Sequence, residues 1–252
     1  MPRCLLGSLV LLAGTCPAFA KPVAAPPVAE RLARAELVIH GKVTQIEKTT
    51  VKAQPSAFER TPIEYQVAVI KIEEALIGGQ GLTHVRVGIH QAVGCPPVGT
   101  AACFLLTPHH EQTFYVLDRF TAPMVMGVPD ELRRLARLLN EPLAGLKSKN
   151  ADDRFLTAAL LIARYRAEPG TRSEKIPAEE SKLILQALRD ANWKRIGTDR
   201  MSPQQAFSRL GLSAEDGWQP PRDFRQYETT ARAWLDKHVE TYRIQRFVAD
   251  KK

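Results

Sequence analysis

The stretch IEYQVAVIKIEEAL, residues 63–76, changes hydrophobic phase in its middle, and this constrains the fold more than any other feature of the chain. Ile63, Tyr65, Val67 and Val69 are apolar at every second position, with Glu64 and Gln66 between them. From Ile70 the parity inverts, so that Ile70 and Ile72 flank Lys71. Alternation at period two marks a half-buried strand, because successive side chains point to opposite faces. A second stretch, ELVIHGKVTQIEK (36–48), repeats the device. Leu37, Ile39 and Val43 share one face, and beyond Gly41 the apolar Ile46 falls on the other parity. A glycine inside a strand often marks a bulge, and a bulge bends a strand from one side of a small barrel to the other. Two long strands of this kind predict a strongly coiled small barrel.

Three more strands complete it. THVRVGI (83–89) points Val85, Val87 and Ile89 inward, and ACFLLT (102–107) and TFYVLDRF (113–120) form a hairpin-like pair across Pro108–Gln112. After residues 121–130, rich in Pro and Gly, the period changes from two to that of helices. DELRRLARLLNE spaces Leu132, Leu135 and Leu139 along one face, and NADDRFLTAALLIARYRAE opens with Asn150 as a cap and carries a broad apolar stripe from Phe155 to Ala163. Helices are also expected from Pro177 to Trp193, from Ser202 (cap) and Pro203 to a stop at Gly211, and from Phe224 to Tyr242. In the last of these, Phe224, Tyr227, Ala231, Trp234 and Leu235 share a face that His238 continues. Strands and helices are segregated along the chain, so the expected class is α+β, with a five-stranded barrel over residues 30–122 and a separate helical domain over 129–252.

The first twenty residues, MPRCLLGSLVLLAGTCPAFA, read as a secretory signal. Arg3 gives a basic start, Leu5–Ala13 an apolar core too short to span a bilayer, and Ala18-Phe19-Ala20 a small-x-small cleavage site. The expected mature chain begins at Lys21 after cleavage at Ala20, with lipidation at Cys16 as the alternative, and KPVAAPPVA (21–29) is an extended tether. An exported location, periplasmic or extracellular, follows, and the mature chain shows no apolar run long enough for a transmembrane segment. Of four cysteines only Cys95 and Cys103 then remain, in an oxidising compartment. A disulfide between them, turned by Pro96, Pro97 and Gly99, is the expected arrangement. Two free thiols, or a metal shared with His109 and His110, are the alternatives, the latter needing an irregular turn at Pro108 to make four ligands converge.

Charge and motifs narrow the function classes. The formal charge of +8 is uneven: residues 21–128 hold ten basic against nine acidic residues, and residues 129–252 hold 24 against 18. A basic helical surface accounts for this in an exported chain, and a nucleic-acid partner is not expected. The run HHEQT would place the second histidine of a zinc-protease motif at Phe114, so that motif fails, and no P-loop, dinucleotide fingerprint or nucleophile elbow occurs. Trp218, beside two prolines, is expected to pack on the helices. The acidic pairs Glu73-Glu74 and Asp152-Asp153 fall at strand and helix ends. No catalytic, cofactor-binding or metal-binding set assembles from these residues.

Residues 30–120 resemble the netrin-module and tissue-inhibitor-of-metalloproteinases barrel. The resemblance is carried by AELVIHGKVTQIEK, IEYQVAVIKIEEALIG, THVRVGI and VGTAACFLLTP, which follow that family's succession of strand patterns. It implies an OB-type five-stranded barrel. Metalloproteinase inhibitors of that family place a cysteine-led mature N-terminus in the enzyme's zinc site; here the expected end is Lys21-Pro22 and no mature cysteine precedes Cys95, so that activity has no residue to rest on. The whole chain resembles secreted bacterial proteins of unknown function in which such a barrel precedes a helical region. The function expected is an exported, non-catalytic binding or structural module with a protein or envelope component as partner and no cofactor. The alternatives are an envelope hydrolase and an inhibitor acting through the barrel.

Overall fold

The computed structural model describes residues 26–56, 59–91, 93–117, 129–167, 172–194 and 201–248. The expected signal, its cleavage point at Ala20 and Lys21, Cys16 and most of the 121–130 boundary lie outside them. The fold is α+β, with a six-stranded, mostly antiparallel sheet and several helices. The strands are β1 (Leu37–Ile46), β2 (Val51–Ala53), β3 (Ile63–Ile77), β4 (His84–His90), β5 (Ala101–Pro108) and β6 (Tyr115–Leu117). β1 pairs with both β5 and β3, β5 with β6, β6 in parallel with β4, and β4 with β3, so the hydrogen bonding returns to its starting strand; β2 adds to β3 outside this circuit.

The phase change has two different causes in the two strands. The β1–β3 register shifts at Val38/Ile39 and His40/Gly41, where the extra residue lies in β3, and at Val43/Gln45, where the extra residue is Thr44 of β1. The last shift lets Ile46 pack on the same core as Leu37, Ile39 and Val43 in spite of its parity. Gly41, at the second shift, is required where it stands, since a Cβ would lie 2.6 Å from the Lys71 carbonyl oxygen. β3 bulges as well, but beyond its phase change: against β1 it carries extra residues at Glu73 and Leu76, while it runs against β4 without a shift from Tyr65 to Lys71. Its inversion is a change of buried face: Tyr65 and Val67 pack with Phe114 and Ala53, whereas Ala68 and Ile70 join the main sheet core of Val85, Val87, Ile89, Phe104 and Leu106.

The helices are α1 (Val28–Arg34), α2 (Asp130–Asn140), α3 (Pro142–Leu146), α4 (Ala151–Tyr165), α5 (Ala178–Arg189), α6 (Pro203–Ser208) and α7 (Tyr227–His238), with a two-stranded ribbon of β7 (Arg172–Lys175) and β8 (Gln245–Val248). Local chemistry starts them where the sequence predicts. The Asn150 side chain accepts from the Asp152 N–H, and Ser202 with Gln205 forms a capping box ahead of Pro203. α4 is buried almost all round, from Phe155 to Ala163. Phe224 departs from expectation: it lies just before α7 and is 70% exposed.

α1 falls where a tether and the start of a strand region are expected. Its Ala29, Leu32 and Ala33 are buried in the same core as Val38, Leu105 and Ile77 of the sheet and Leu135, Leu160, Phe207 and Trp234 of the helices. Ionic links follow the same path. Arg133 of α2 binds Glu74 of β3 at 3.0 Å, Arg134 binds Asp153 at 2.5 Å, and Glu30 of α1 is held by Arg34 and by Arg209 just beyond α6. Buried contacts thus run from the sheet into the helices and leave the expected separate helical domain unsupported.

Candidate functional site

Where α1 crosses the end of the sheet it leaves a cavity of about 510 Å³, within the range of small-molecule pockets. Its walls come from several short pieces of chain: Arg31, Arg34 and Ala35 of α1, Ile63 and Tyr65 at the start of β3, Gly88, Ile89 and His90 at the end of β4, Leu105 and Thr107 of β5, and Val116 and Leu117 of β6. Pro26, Pro55, Glu59, Val93 and Ala167 also line it. The body of the cavity is therefore aliphatic and aromatic. Its charged groups are two guanidinium groups one helical turn apart, one carboxylate and one imidazole.

Tyr65 joins this cavity to a second cluster. Its ring meets His109 edge-on at 5.6 Å and Phe114 at 5.5 Å, and His110 stacks on His109 at 4.6 Å. Burial, aided by the Glu59 carboxylate, pushes the Tyr65 hydroxyl above the ordinary phenol range, so it stays protonated and can donate a hydrogen bond. His109 is 6% exposed, and its Nδ1 accepts the backbone N–H groups of Glu111 and Gln112, each at 3.1 Å. Burial and then the neighbouring His110 hold its pKa below the ordinary imidazole value. Phe114 sits over Gly88, where any Cβ would overlap its ring.

The expected disulfide is not formed: Cys95 and Cys103 are both free thiols. Their side chains lie on opposite faces of β5. Cys103 points into the core shared with the helices, while Cys95, from the loop before β5, packs on the core of the other face. Burial raises both thiol pKa values, so neither is an activated nucleophile. His109 and His110 stack in the turn after β5 instead of converging with the cysteines, and among the described residues no group of three or more metal-ligating side chains occurs.

The remaining candidates have structural partners. Trp218 packs on Phe207 at 4.9 Å, and His238 stacks on Trp234 at 4.7 Å. Glu73 lies 3.3 Å from His40, and Glu74 and Asp153 are the ionic anchors of α2 already described. No helix among the described residues is long and apolar enough to cross a membrane. The cavity itself has no linear signature, since its lining is scattered from Pro26 to Ala167; the nearest sequence signal is Tyr65, a large aromatic on the face that β3 abandons at its inversion. Neither the known protein-family models nor the curated proteins include a match to this chain.

Proposed function

We propose that the chain is an exported binding module, built on an OB-type barrel, that takes an apolar ligand with an anionic end into the cavity between α1 and the sheet. The circuit of strand pairing, the parallel β4–β6 pair and the register shifts between β1 and β3 support the barrel reading, as does the resemblance of residues 30–120 to the netrin-module barrel. Export rests on the first twenty residues, and mass spectrometry of the native protein is expected to give Lys21 as its first residue.

The observation that carries the ligand reading is the lining of the cavity. Ile63, Ile89, Val93, Leu105, Val116 and Leu117 give a hydrophobic body its complement, and Arg31 and Arg34 supply positive charge, with Glu59 in the lining and Glu30 bound to Arg34 as the nearby carboxylates. Arginine pairs readily with carboxylate, sulfonate or phosphate oxygens, and the protonated Tyr65 hydroxyl adds a donor. Calorimetric titration with octane-1-sulfonate and with octan-1-ol tests this. The sulfonate is expected to bind more tightly, Arg34→Gln to remove that advantage, and Thr107→Trp, which fills the cavity, to weaken both by tenfold or more, a loss of about 1.4 kcal/mol. Equal binding by wild type and the filled variant, at unchanged melting temperature, would overturn the reading. An envelope hydrolase would instead reveal itself as turnover in a substrate screen, abolished by one substitution.

A further inference from the structure

We propose that His109 is a pH latch on the cavity wall: neutral, it holds the β5–β6 turn closed against Tyr65, and protonated, it opens that turn and releases the ligand. The inference rests on the cavity being the ligand site and concerns the regulation of that site.

The latch is built from hydrogen-bond polarity. A ring nitrogen that receives two N–H donors has its lone pair engaged, so the neutral ring carries its proton on Nε2. Protonating Nδ1 turns the acceptor into a donor facing the N–H groups of Glu111 and Gln112, and both hydrogen bonds are lost together. The new cation would lie in a slot bounded by the rings of Tyr65, Phe114 and His110. The turn and β3 pack against this ring. From the turn, His110 opposes a charge on His109 and Glu111 favours one; the backbone carbonyl of Gln54, just after β2, also favours it without meeting hydrogen-bond geometry at Nε2. From β3 comes Tyr65, beyond which lie Glu59 and, opposite it on β4, His90. Burial outweighs the favourable groups, and the neutral form is the one the fold selects.

The same residues couple the turn to the cavity. Tyr65 lines the cavity and touches both His109 and Phe114. Phe114 rests on Gly88, which also lines it, and the His109 N–H closes the turn on the Phe114 carbonyl at 3.0 Å. When the turn opens, Tyr65 and Gly88 lose the packing that sets their positions, and one wall of the site goes with them.

Octane-1-sulfonate is the probe, because its charge is constant between pH 5.0 and 7.5 and any pH dependence then belongs to the protein. Wild type is expected to bind it about tenfold more weakly at pH 5.0 than at pH 7.5. His109→Asn keeps an acceptor at the δ position, where asparagine caps backbone N–H groups two and three residues on, and does not titrate. Whatever its affinity at pH 7.5, it should bind as tightly at pH 5.0, whereas His110→Gln should keep the wild-type loss. Binding by His109→Asn that weakens with pH as the wild type does would overturn the latch. Hydrogen exchange at the Glu111 and Gln112 amides reads the turn without a ligand: protection, corrected for the intrinsic rate, is expected at pH 7.5 and lost at pH 5.0. If wild type binds no sulfonate even at pH 7.5, the cavity reading has failed and release with it. The amides then decide the latch alone, and protection that persists to pH 5.0 refutes it.

Discussion

At the scale of single residues, Glu30 is the side chain whose loss should be felt furthest. It is 5% exposed and lies between Arg34 of its own helix and Arg209 beyond α6, so it ties the short α1 to the distant end of the helical layer. Removing one partner of a buried ionic contact leaves the others uncompensated. Both arginines keep some access to water, which softens the loss. Glu30→Gln is expected to cost about 2 kcal/mol in urea unfolding, and a cost below about 0.5 kcal/mol would show a merely superficial contact. The residue scale is also where the sequence misleads most. Two cysteines with seven residues between them across a Pro/Gly loop look like a staple, but alternation along β5 sends Cys103 to the helix side while Cys95, in the preceding loop, packs on the other. The His109-His110 pair suggests a metal. The informative feature was position: a δ-nitrogen at the head of a turn has the next two free N–H groups within its reach.

At the scale of elements, strands and helices with strong periodicity were legible, and those created by packing were not. β1, β3, β4 and β5 and the long helices α2, α4, α5 and α7 follow their patterns closely, and Ser202 and Asn150 cap as their chemistry dictates. α1 has only seven residues, too few for a helix to persist alone in water, and it exists because Ala29, Leu32 and Ala33 are buried against α2, α4 and β5. The β7–β8 ribbon joins RSEK to QRFV and has no apolar alternation to announce it. The β5–β6 turn gives a prediction at this scale. The folded-state pKa of His109 lies below its unfolded value, so the unfolded chain takes up the proton more readily. The stability this residue contributes is complete above pH of about 6.5 and is lost as pH falls below it. Urea midpoints of wild type should therefore decline between pH 7 and 5 more steeply than those of His109→Asn. Parallel profiles would show that His109 titrates alike in both states.

At the scale of the whole molecule, the sequence signals a change of character at residue 129, and the buried contacts cross it. The reason is chemical: β5 reads ACFLLT, a strand apolar on both faces, and such a strand needs cover on both sides. Ala102, Phe104 and Leu106 take the sheet core, and Cys103 and Leu105 take the helices. All three tryptophans lie between residues 193 and 234, so fluorescence reports the helical layer, while the Cys103 thiol reports its contact with the sheet. In a urea titration, Cys103 labelling and the loss of tryptophan fluorescence are expected to share one midpoint; labelling well before the fluorescence change would mean that the two layers separate as independent units. The cavity is a product of the same scale, closed only when α1, β3, β4, β5 and β6 come together. Its role as a ligand site is the central claim, and chemical-shift mapping with octane-1-sulfonate at pH 7.5 tests it most directly. Saturable shifts are expected at Ala35, Tyr65, Ile89, Leu105 and Val116, with Arg34 side-chain resonances moving in step. Shifts that scatter over the surface, or gather at the exposed Phe224, would contradict it.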